Sequence, residues 1–340
     1  MQDRKHNPFY VIPGPAIQDA LLSATTEVVD AVRRAYELHA AAQTINPDSY
    51  FLQFPQKPTA RIIALPAYLG GEFYLAGLKW ISSFPENRTR RLARASGVLV
   101  LNDYETGFPS ACLEASAISA MRTAASAALA ADALTPWAGR TATTLGVIGC
   151  GLIARTTLLM FARLGWQIES LAVFDLDAAR AEQFGESVGA KIGASAATAA
   201  MDEVIQRADL LLLTTTAGSP HISEAQWFAH GPTVLHLSLR DLAVPLVLDA
   251  QNIVDDVDHC LKASTSLHLA EQQVKHRRFV DGTLAELMAG VIAPERGRTR
   301  IFSPFGMGIL DLAVGHLVLD RCRENGSAIE VDGFFPDFED

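Results

Sequence analysis

The chain has 340 residues, more than one hydrophobic core usually accommodates, and this length predicts two domains. Its composition, 49% hydrophobic and 19% charged without a low-complexity tract, excludes the disordered and fibrous classes. The formal net charge of −10 disfavours nucleic acid and anionic membrane surfaces as partners. A small anionic substrate would therefore need Arg and Lys side chains placed locally around it.

The sequence carries no mark of a membrane or an oxidising compartment. Its four cysteines lie far apart, without a CxxC pair or zinc-type spacing: Cys112, Cys150, Cys260 and Cys322. The opening MQDRKHNPFYVIPG lacks the apolar core of a secretion signal, and the apolar stretch 145–166 is interrupted by Arg155 and several glycines. We therefore predict a cytoplasmic protein with reduced cysteines.

One acidic cluster invites a metal interpretation. It consists of Asp255, Asp256, Asp258 and His259. Clusters of this kind more often lie at a solvated strand end, so we predict no metal site.

The first half of the chain predicts helix and antiparallel sheet. Residues 26–42 repeat apolar side chains at helical spacing and precede the turn-rich INPDSY. The apolar runs FLQF, RIIALPAY, FYLAGLKWISS and GVLVLND follow, separated by turn residues, and predict an antiparallel meander. Residues 118–134 are rich in alanine and lack Gly and Pro, which predicts a helix linking two regions.

From Thr143 onward, strands and helices alternate. The predicted strands are TTLGVIG, LAVFD, a short one near Lys191, DLLLLTTT, TVLHLSL and IVDDV, and such alternation favours a parallel sheet buried on both faces. A last apolar helix, roughly residues 307–324, is expected to pack on the N-terminal region. We therefore predict an α/β fold in which a Rossmann dinucleotide-binding domain (124–303) is inserted in a discontinuous α+β substrate-binding and dimerisation domain (1–123 and 304–340).

The run LGVIGCGLIA fits a dinucleotide-binding turn. Gly149 would permit the tight turn, Gly151 the close approach of a pyrophosphate, and Ala154 the close packing of the helix on the strand. The pattern alone is weak, but the next predicted strand ends at Asp175, which can accept hydrogen bonds from the adenosine ribose. A carboxylate there repels a 2′-phosphate, so we predict NAD, although Arg180 leaves NADP open.

Further residues are assigned to the cofactor, among them three threonines that follow the fourth predicted strand at the carboxyl edge of the sheet. They are Leu152, Ile153, Thr214, Thr215, Thr216, Ser238, Arg122 and Thr123. For the three threonines, an ordinary β-branched strand end explains the sequence equally well.

Several longer strings resemble the ornithine cyclodeaminase/mu-crystallin family. They are GLKWISS around Lys79, SAMRTAA around Arg122, IGCGLIA, LSLRD ending at Asp241, and SPFGMGILDLA. The resemblance extends over nearly the whole chain. Within the family, ARIIALP, ARASGVLVLND and LEASAISAMRTAA look closest to the branch that produces L-2,3-diaminopropionate. This resemblance implies an NAD-dependent oxidoreductase that forms a homodimer through its N-terminal sheet.

The resemblance also implies roles for three residues. Lys79 and Arg122 would bind a substrate carboxylate. Asp241 would be the acid/base at the nicotinamide, and Lys79 is assigned as a second catalytic residue. A guanidinium and a second cation are suited to hold a carboxylate. Without the resemblance, the three would be interpreted as a strand lysine, a helix-surface arginine and a turn residue.

One departure from the family pattern bears on the substrate. The glutamate of ornithine-cyclising members falls on Ile63, which cannot pair with a distal ammonium. Arg61 lies on the same face of the predicted strand and Arg240 adjoins Asp241, so both are assigned to substrate binding. Extra cations suit a substrate with three carboxylates, although Arg61 is equally consistent with a solvent-facing strand arginine.

The resemblance, supported by the count of cations, implies the NAD-dependent oxidative hydrolysis of N-(2-amino-2-carboxyethyl)-L-glutamate to L-2,3-diaminopropionate and 2-oxoglutarate, in the biosynthesis of siderophores or peptide natural products. Within the family, an ornithine or lysine cyclodeaminase, or another imine or amino-acid dehydrogenase, is the alternative. Outside enzymes, the alternative is a crystallin-like protein that binds a nucleotide or another ligand.

Overall fold

The computed structural model describes residues 8–336. Residues 1–7, which form half of the segment used above to exclude a secretion signal, and residues 337–340 lie outside the described residues. The chain forms two compact units. The split unit comprises the residues up to Arg122 and those from Met307 onward, and the continuous unit is Thr123–Gly306. Within residues 8–336, no helix is long and apolar enough to cross a bilayer.

From residue 8 onward, the first segment of the split unit contains three α-helices, a short 3-10 helix (Pro85–Arg90) and seven strands. In chain order the α-helices and strands are β1 Tyr10–Ile12, α1 Gly14–Ser23, α2 Thr25–Ala40, β2 Thr44–Ile45, β3 Tyr50–Phe54, β4 Lys57–Leu69, β5 Leu75–Ser83, β6 Ala95–Asp103, β7 Pro109–Glu114 and α3 Ala115–Leu134, which continues into the other unit. The predicted helices at 26–42 and 118–134 and the antiparallel meander are confirmed. The sequence patterns did not reveal α1, β1, β2 or β7, which are short or begin at Gly or Pro.

The continuous unit alternates strands and helices. After α3 come β8 Thr141–Ile148, α4 Leu152–Arg163, β9 Gln167–Phe174, α5 Ala178–Ile192, β10 Ser195–Thr198, α6 Met201–Arg207, β11 Leu210–Leu213, β12 Thr233–His236, α7 Val244–Asp249, β13 Gln251–Val254, α8 Val257–Cys260, α9 Ser266–Val274, β14 Val280–Thr283, α10 Leu284–Met288 and β15 Arg300–Ser303.

These strands form one parallel sheet in the order β10-β9-β8-β11-β12-β15-β13-β14. Every residue of β11, β12, β13 and β15 is buried, as expected for a sheet covered on both faces. The chain moves outward from β8 to β10 and then returns to β11, so the strand order reverses between β8 and β11. Open sheets of this type bind ligands at the carboxyl ends of the strands at such a reversal. The predicted Rossmann architecture is confirmed.

One predicted strand was misplaced, and another is shorter than predicted. The strand near Lys191 was wrong, because Lys191 belongs to the last turn of α5 and the strand begins at Ser195. The helix continues because its apolar face keeps packing, and it ends at Gly193, whose φ of 74° gives the left-handed cap. The strand predicted in TVLHLSL stops at His236, and the chain then turns at Leu239, which has a φ of 71°.

The last segment returns to the split unit as α11 Gly308–Glu324 and β16 Ile329–Glu330. The sheet order there is β16-β1-β7-β6-β5-β4-β2, with β3 paired to β4. As predicted, α11 packs on the N-terminal region, against α2 and one face of β4, β5 and β6. The helix can approach closely because β5 has a glycine there: a Cβ on Gly77 would lie 2.7 Å from Leu312 Cδ2.

Candidate active site

The glycine-rich turn after β8 has the conformation that a dinucleotide-binding turn requires. Gly149 has a φ of 94°, and a Cβ there would lie 2.8 Å from the Thr214 backbone, so a side chain is excluded twice. A Cβ on Gly151 would meet nothing within 4 Å, which leaves open space beside the backbone. Ala154 is fully buried in α4, as close packing of helix on strand demands. The turn can therefore admit a pyrophosphate at Gly151.

The N-terminus of α4 offers unsatisfied N–H groups. Gly151 is its N-cap and provides no side-chain acceptor, and the first turn, which includes the exposed Leu152 and the half-buried Ile153, has no acidic residue. Such an end attracts a phosphate. The structure thus fits the nucleotide that the sequence predicts.

Asp175 lies directly after β9, beside this turn. Its Oδ2 accepts a hydrogen bond of 2.8 Å from the backbone N–H of Cys150, and its Oδ1 accepts one of 3.0 Å from Asp177 N–H. The carboxylate therefore orders the glycine turn. Burial raises the pKa of the Cys150 thiol to about 12, so this cysteine remains protonated and unreactive.

The Asp241 carboxylate is fully buried and surrounded by donors. The hydroxyls of Thr215 and Ser238 donate to its two oxygens, His221 Nε2 lies 3.1 Å from Oδ1, and His236 Nε2 lies 3.2 Å from Oδ2. Burial raises the pKa of Asp241, but the hydrogen bonds from His236, Ser238 and Thr215 outweigh it and hold that pKa well below its usual range. Asp241 is therefore a carboxylate anion at neutral pH.

Backbone pairing brings this cluster together. The N–H groups of His221 and Ile222 both donate to the Asp241 carbonyl at 2.9 Å, and Ala243 N–H donates to the Ile222 carbonyl at 2.9 Å. His236 ends β12 and Thr215 follows β11, its neighbour in the sheet. The loop carrying His221 is therefore held against the turn carrying Asp241.

Sequence reasoning missed His221 and His236. For His236 a signal existed, since a histidine inside the apolar strand TVLH is buried and needs a polar partner. For His221, in the loop SPHIS, no local pattern indicates a partner twenty residues away.

A second cluster lies within the split unit. Lys79 is only 2% exposed, and its Nζ donates to Asp311 Oδ2 at 2.6 Å and to Ser119 Oγ at 3.3 Å. Arg122 Nε lies 3.3 Å from Asp311 Oδ1. Burial lowers the pKa of Lys79 to about 8; the carboxylate of Asp311 opposes this shift and the charge of Arg122 adds to it. The structure thus brings Lys79 and Arg122 together on one buried carboxylate.

Asp311 was not assigned a role from the sequence. It is fully buried on α11 between Leu310 and Leu312, so an acidic residue interrupts an otherwise apolar helix face. That interruption was an available signal, because a buried carboxylate requires a cation or several donors.

Arg61 lies on the same sheet face as Lys79. In the register of β4 and β5, Leu65 is opposite Lys79 and Arg61 is opposite Ser83. The Arg61 Nε is buried and makes no hydrogen bond within residues 8–336. The Ser83 hydroxyl also accepts a hydrogen bond of 2.7 Å from Arg94 Nη1, so a further arginine, missed from the sequence, lies nearby.

The remaining assigned residues are less distinctive. Arg240 donates to the Ala263 carbonyl through Nη2 at 2.7 Å and Nε at 3.2 Å, so part of its guanidinium is already occupied. Thr214 Oγ1 donates to the Gly149 carbonyl at 2.6 Å and braces the glycine turn. Thr216 follows at the same edge, and Thr123 comes directly after Arg122 in α3.

The acidic cluster has structural partners. Asp255 is buried and accepts hydrogen bonds from the N–H groups of Phe305 at 2.9 Å and Gly306 at 2.6 Å. Asp256 caps α8, and Asp258 pairs with Arg277 at 2.6 Å. Across the described part of the chain, no three His, Cys, Asp or Glu side chains are arranged to hold a metal ion.

Residues 17–326 match the profile of the ornithine cyclodeaminase/mu-crystallin family. The chain belongs to this family. The N-((2S)-2-amino-2-carboxyethyl)-L-glutamate dehydrogenase of Staphylococcus aureus is 30% identical over 313 residues, covering 87% of this chain and 90% of that protein. The alanine dehydrogenase of Archaeoglobus fulgidus is 29% identical over 329 residues, covering 91% of this chain and 95% of that one.

Among solved structures, the Δ1-pyrroline-2-carboxylate reductase of Thermococcus litoralis, in complex with NADH and L-proline, matches with a TM-score of 0.86. It is 25% identical, and the match covers 95% of this chain and 100% of that one. These proteins are dehydrogenases and a reductase whose named substrates differ. The chain is accordingly an enzyme of the oxidoreductase class.

Proposed function

We propose that this enzyme uses NAD to convert N-(2-amino-2-carboxyethyl)-L-glutamate into L-2,3-diaminopropionate and 2-oxoglutarate. The observation that carries the substrate assignment is Arg61, a half-buried arginine with a buried Nε and no carboxylate partner in residues 8–336, on the sheet face of Lys79. The staphylococcal relative with this activity in its name, 30% identical, supports the assignment.

The cofactor assignment rests on the glycine turn. Gly149 and Gly151 shape the turn, the N-terminus of α4 receives the pyrophosphate, and Asp175 accepts the ribose hydroxyls. A carboxylate at Asp175 disfavours a 2′-phosphate, so the cofactor is NAD. Bound NAD⁺ supplies the hydride acceptor.

Charge counting distinguishes the candidate substrates. Lys79 and Arg122 carry two positive charges and Asp311 one negative charge, so this cluster has a net charge sufficient for a single carboxylate. On β4, Arg61 is four residues from Leu65, which pairs with Lys79 on β5. At roughly 3.3 Å per residue, Arg61 is therefore about 13 Å from Leu65 along the strand. Cations spread over that length suit an extended tricarboxylate better than alanine, which has one carboxylate.

The substrate chemistry requires proton transfers. The α-carbon of the glutamate moiety loses hydride, the bridging amine becomes an imine, and water adds to it. The resulting carbinolamine collapses to the ketone of 2-oxoglutarate as the C–N bond breaks and the amine leaves with a proton. The overall balance is adduct, NAD⁺ and water on one side, and the two products, NADH and one proton on the other.

Two groups of the Asp241 cluster are suited to move these protons. The low pKa of Asp241 makes it a weak proton acceptor at neutral pH, whereas its anionic form stabilises a protonated imidazole. His221 is 36% exposed at its side chain and lies 3.1 Å from Asp241 Oδ1. His221 therefore exchanges protons with substrate and water, and Asp241 orients the ring and stabilises its charge.

The test is NADH absorbance with purified protein and NAD⁺, offered the glutamate-diaminopropionate adduct, alanine, ornithine or lysine separately. We expect NADH and 2-oxoglutarate with the adduct alone. Because cyclodeamination is redox-neutral overall, the ornithine and lysine reactions are also assayed for proline and pipecolate. Turnover of alanine, or formation of proline or pipecolate, would replace the proposal with that activity.

An Arg61 variant makes the substrate test specific. Losing one charge-assisted hydrogen bond of about 1.5–3 kcal/mol should raise KM for the adduct about 10- to 150-fold in Arg61→Leu. Lys57→Leu, at the exposed start of the same strand, is the matched control and should leave KM nearly unchanged. Equal KM values in both variants would remove Arg61 from the substrate site.

We also propose that the protein is a homodimer in solution. Side chains alternate along β5, so the face opposite Lys79 and α11 carries Trp80, which is 39% exposed, and its neighbour on β6, Val98, which is 40% exposed. Exposed apolar side chains on a sheet face are typical of an interface. Light scattering should give twice the chain mass, and Trp80→Glu should shift it toward the monomer; a monomeric wild-type protein would contradict the proposal.

A further inference from the structure

A cavity of about 450 Å³ lies within the continuous unit, away from the glycine turn. Its wall includes Thr141 at the start of β8, Leu210 at the start of β11, and Arg300 at the start of β15. These are the amino ends of parallel strands, whereas the glycine turn lies at the carboxyl ends. The cavity therefore occupies the opposite edge of the Rossmann sheet.

Two arginines meet one indole ring in this cavity. The guanidinium carbons of Arg296 and Arg300 lie 4.5 and 5.1 Å from the centroid of the Trp137 ring. The ring attracts both cations, but the two guanidinium groups repel each other. Within the described residues, neither side chain has an ion pair with a carboxylate.

Arg300 is buried, with only 5% of its surface exposed. Its donors are used on neutral acceptors at 2.8–3.1 Å, which are the Thr233 hydroxyl and the carbonyls of Glu295, Arg298 and Gly231. Burial lowers the pKa of Arg300, and the nearby charge of Arg296 lowers it further. Four neutral acceptors orient this guanidinium without cancelling its charge, so its positive charge has no anionic partner within the described residues.

Another buried donor also lacks an acceptor. Trp166 lines the cavity and is 4% exposed, and its Nε1 has no hydrogen-bond partner in the described residues. A buried N–H without an acceptor costs free energy that an incoming oxygen would recover. Among the lining residues, Asp209 is the sole acidic side chain, and its Oδ2 already accepts a hydrogen bond of 3.0 Å from Thr144 N–H.

We propose that this cavity is a second ligand site, for a small metabolite bearing an oxyanion, either a carboxylate or a phosphate. The oxyanion binds Arg296 and the remaining N–H of Arg300, and the apolar part of the ligand lies against Trp137. Two arginines and one aspartate leave a net positive charge, which selects an anion. Because the cavity and the cofactor turn are at opposite edges of one sheet, ligand and NAD can bind together.

The protein itself provides the reporter. Two of the four tryptophans of the chain, Trp137 and Trp166, line the cavity. We would titrate the full-length protein, with saturating NAD present to occupy the cofactor turn, with sodium phosphate and separately with disodium succinate. Sodium chloride at matched ionic strength is the control. We expect a saturable change in tryptophan emission with at least one oxyanion and none with chloride.

Variants locate the binding event. Arg296→Gln should weaken the apparent affinity about 10-fold or more, as loss of a charge-assisted hydrogen bond implies. Arg207→Gln removes an exposed arginine of the same unit and should change nothing. Saturation by phosphate alone, succinate alone or both identifies the preferred oxyanion and supports the proposal. No saturable change, an equal response to chloride, or an unchanged affinity in Arg296→Gln would overturn it.

Failure of this proposal is separable from failure of the proposed activity. The emission titration needs no turnover, and the Arg296→Gln variant leaves the glycine turn and the Asp241 cluster untouched. A protein that oxidises the adduct but shows no anion titration would retain the proposed function and lose the second site.

Discussion

The two units bury a charged group in different ways. In the split unit, the Lys79 ammonium is neutralised by the opposite charge of Asp311 at 2.6 Å. In the continuous unit, the Asp241 carboxylate has hydroxyl and imidazole donors around it, and no Arg or Lys forms an ion pair with it in residues 8–336. The first solution depends on a single counter-charge, whereas the second is distributed over four polar side chains.

This difference predicts which substitutions affect the stability of the fold and which affect turnover. Removing the only counter-charge of a buried ammonium leaves an uncompensated charge in a low-dielectric interior, which lowers the stability of the fold. Removing one of several donors leaves the carboxylate partly satisfied. We therefore expect a substitution of Asp311 to lower mainly the stability, and a substitution of Asp241 to lower mainly the turnover.

The largest expected effect is on turnover, in Asp241→Asn. Loss of the negative charge removes the stabilisation of protonated His221, and we expect kcat to fall about 10²- to 10⁴-fold, the usual contribution of general acid–base catalysis. The affinity for NAD, measured by titration calorimetry, should stay within a few-fold of the wild type. Unchanged kcat would remove Asp241 from the mechanism.

Next is the stability of Asp311→Asn. The substitution leaves Lys79 buried without its counter-charge, and breaking such a pair typically costs about 3–5 kcal/mol of unfolding free energy. Denaturant unfolding measures it. Asp320→Asn, on the same helix but half exposed beside His316, is the control and should cost less than about 1 kcal/mol. Similar losses in both variants would show that the Lys79 pair is not the stabilising feature.

Single donors to Asp241 should have smaller effects. Ser238→Ala and Thr215→Val each remove one hydrogen bond to a charged group. We expect each substitution to lower the unfolding free energy by about 1.5–3 kcal/mol. Each variant should also raise the pKa of Asp241, because it removes an interaction that favours the anion. A loss as large as that of Asp311→Asn would contradict the distributed picture.

The smallest expected effect is a change of the unfolding free energy with alkaline pH. Lys79 has a folded pKa of about 8 against its ordinary value of 10.5, so between these values the unfolded chain binds more protons than the folded one. The unfolding free energy contributed by Lys79 therefore rises with pH in this window, by at most about 1.4 kcal/mol per pH unit. Asp311 and Arg122 are the charged groups that face the ammonium.

Activity should change in the opposite direction above pH 8. As Lys79 loses its proton, the substrate carboxylate loses a cation, so kcat/KM should fall while stability rises. Lys79→Arg keeps its charge and should abolish the alkaline decline if the variant folds. The unfolding free energy, measured from pH 7 to 10 in the wild type and in Lys79→Met, tests the stability prediction independently. Parallel pH curves for the two proteins would contradict the shifted pKa of Lys79.

Much of the fold was predictable, because long elements have strong periodicity. The helix α2 and the strands β4 to β6 carry alternation or helical spacing over many residues, and β8 with α4 carries the glycine turn. The strand near Lys191 was misplaced because α5 keeps a buried face to its end, and only the left-handed Gly193 stops it. Short elements such as β1 and β7 were missed, because their identity depends on pairing with distant strands.

The sequence by itself determined the chemistry of the turn. Gly149, Gly151 and Ala154 are local requirements of backbone conformation and close packing, and family strings bring Lys79, Arg122 and Asp241 to notice. Residue types within a few positions of one another decide such features, so no knowledge of the fold is needed to find them.

Only the tertiary structure decided which side chains contact each other. The contacts of Lys79 with Asp311, and of Asp241 with His221, join residues separated by 232 and 20 positions. The same is true of the arginines around Trp137, which lies far from them along the chain. The protonation state of a buried group depends on the charges and donors that the fold places within a few ångströms of it, and sequence distance carries no record of that proximity.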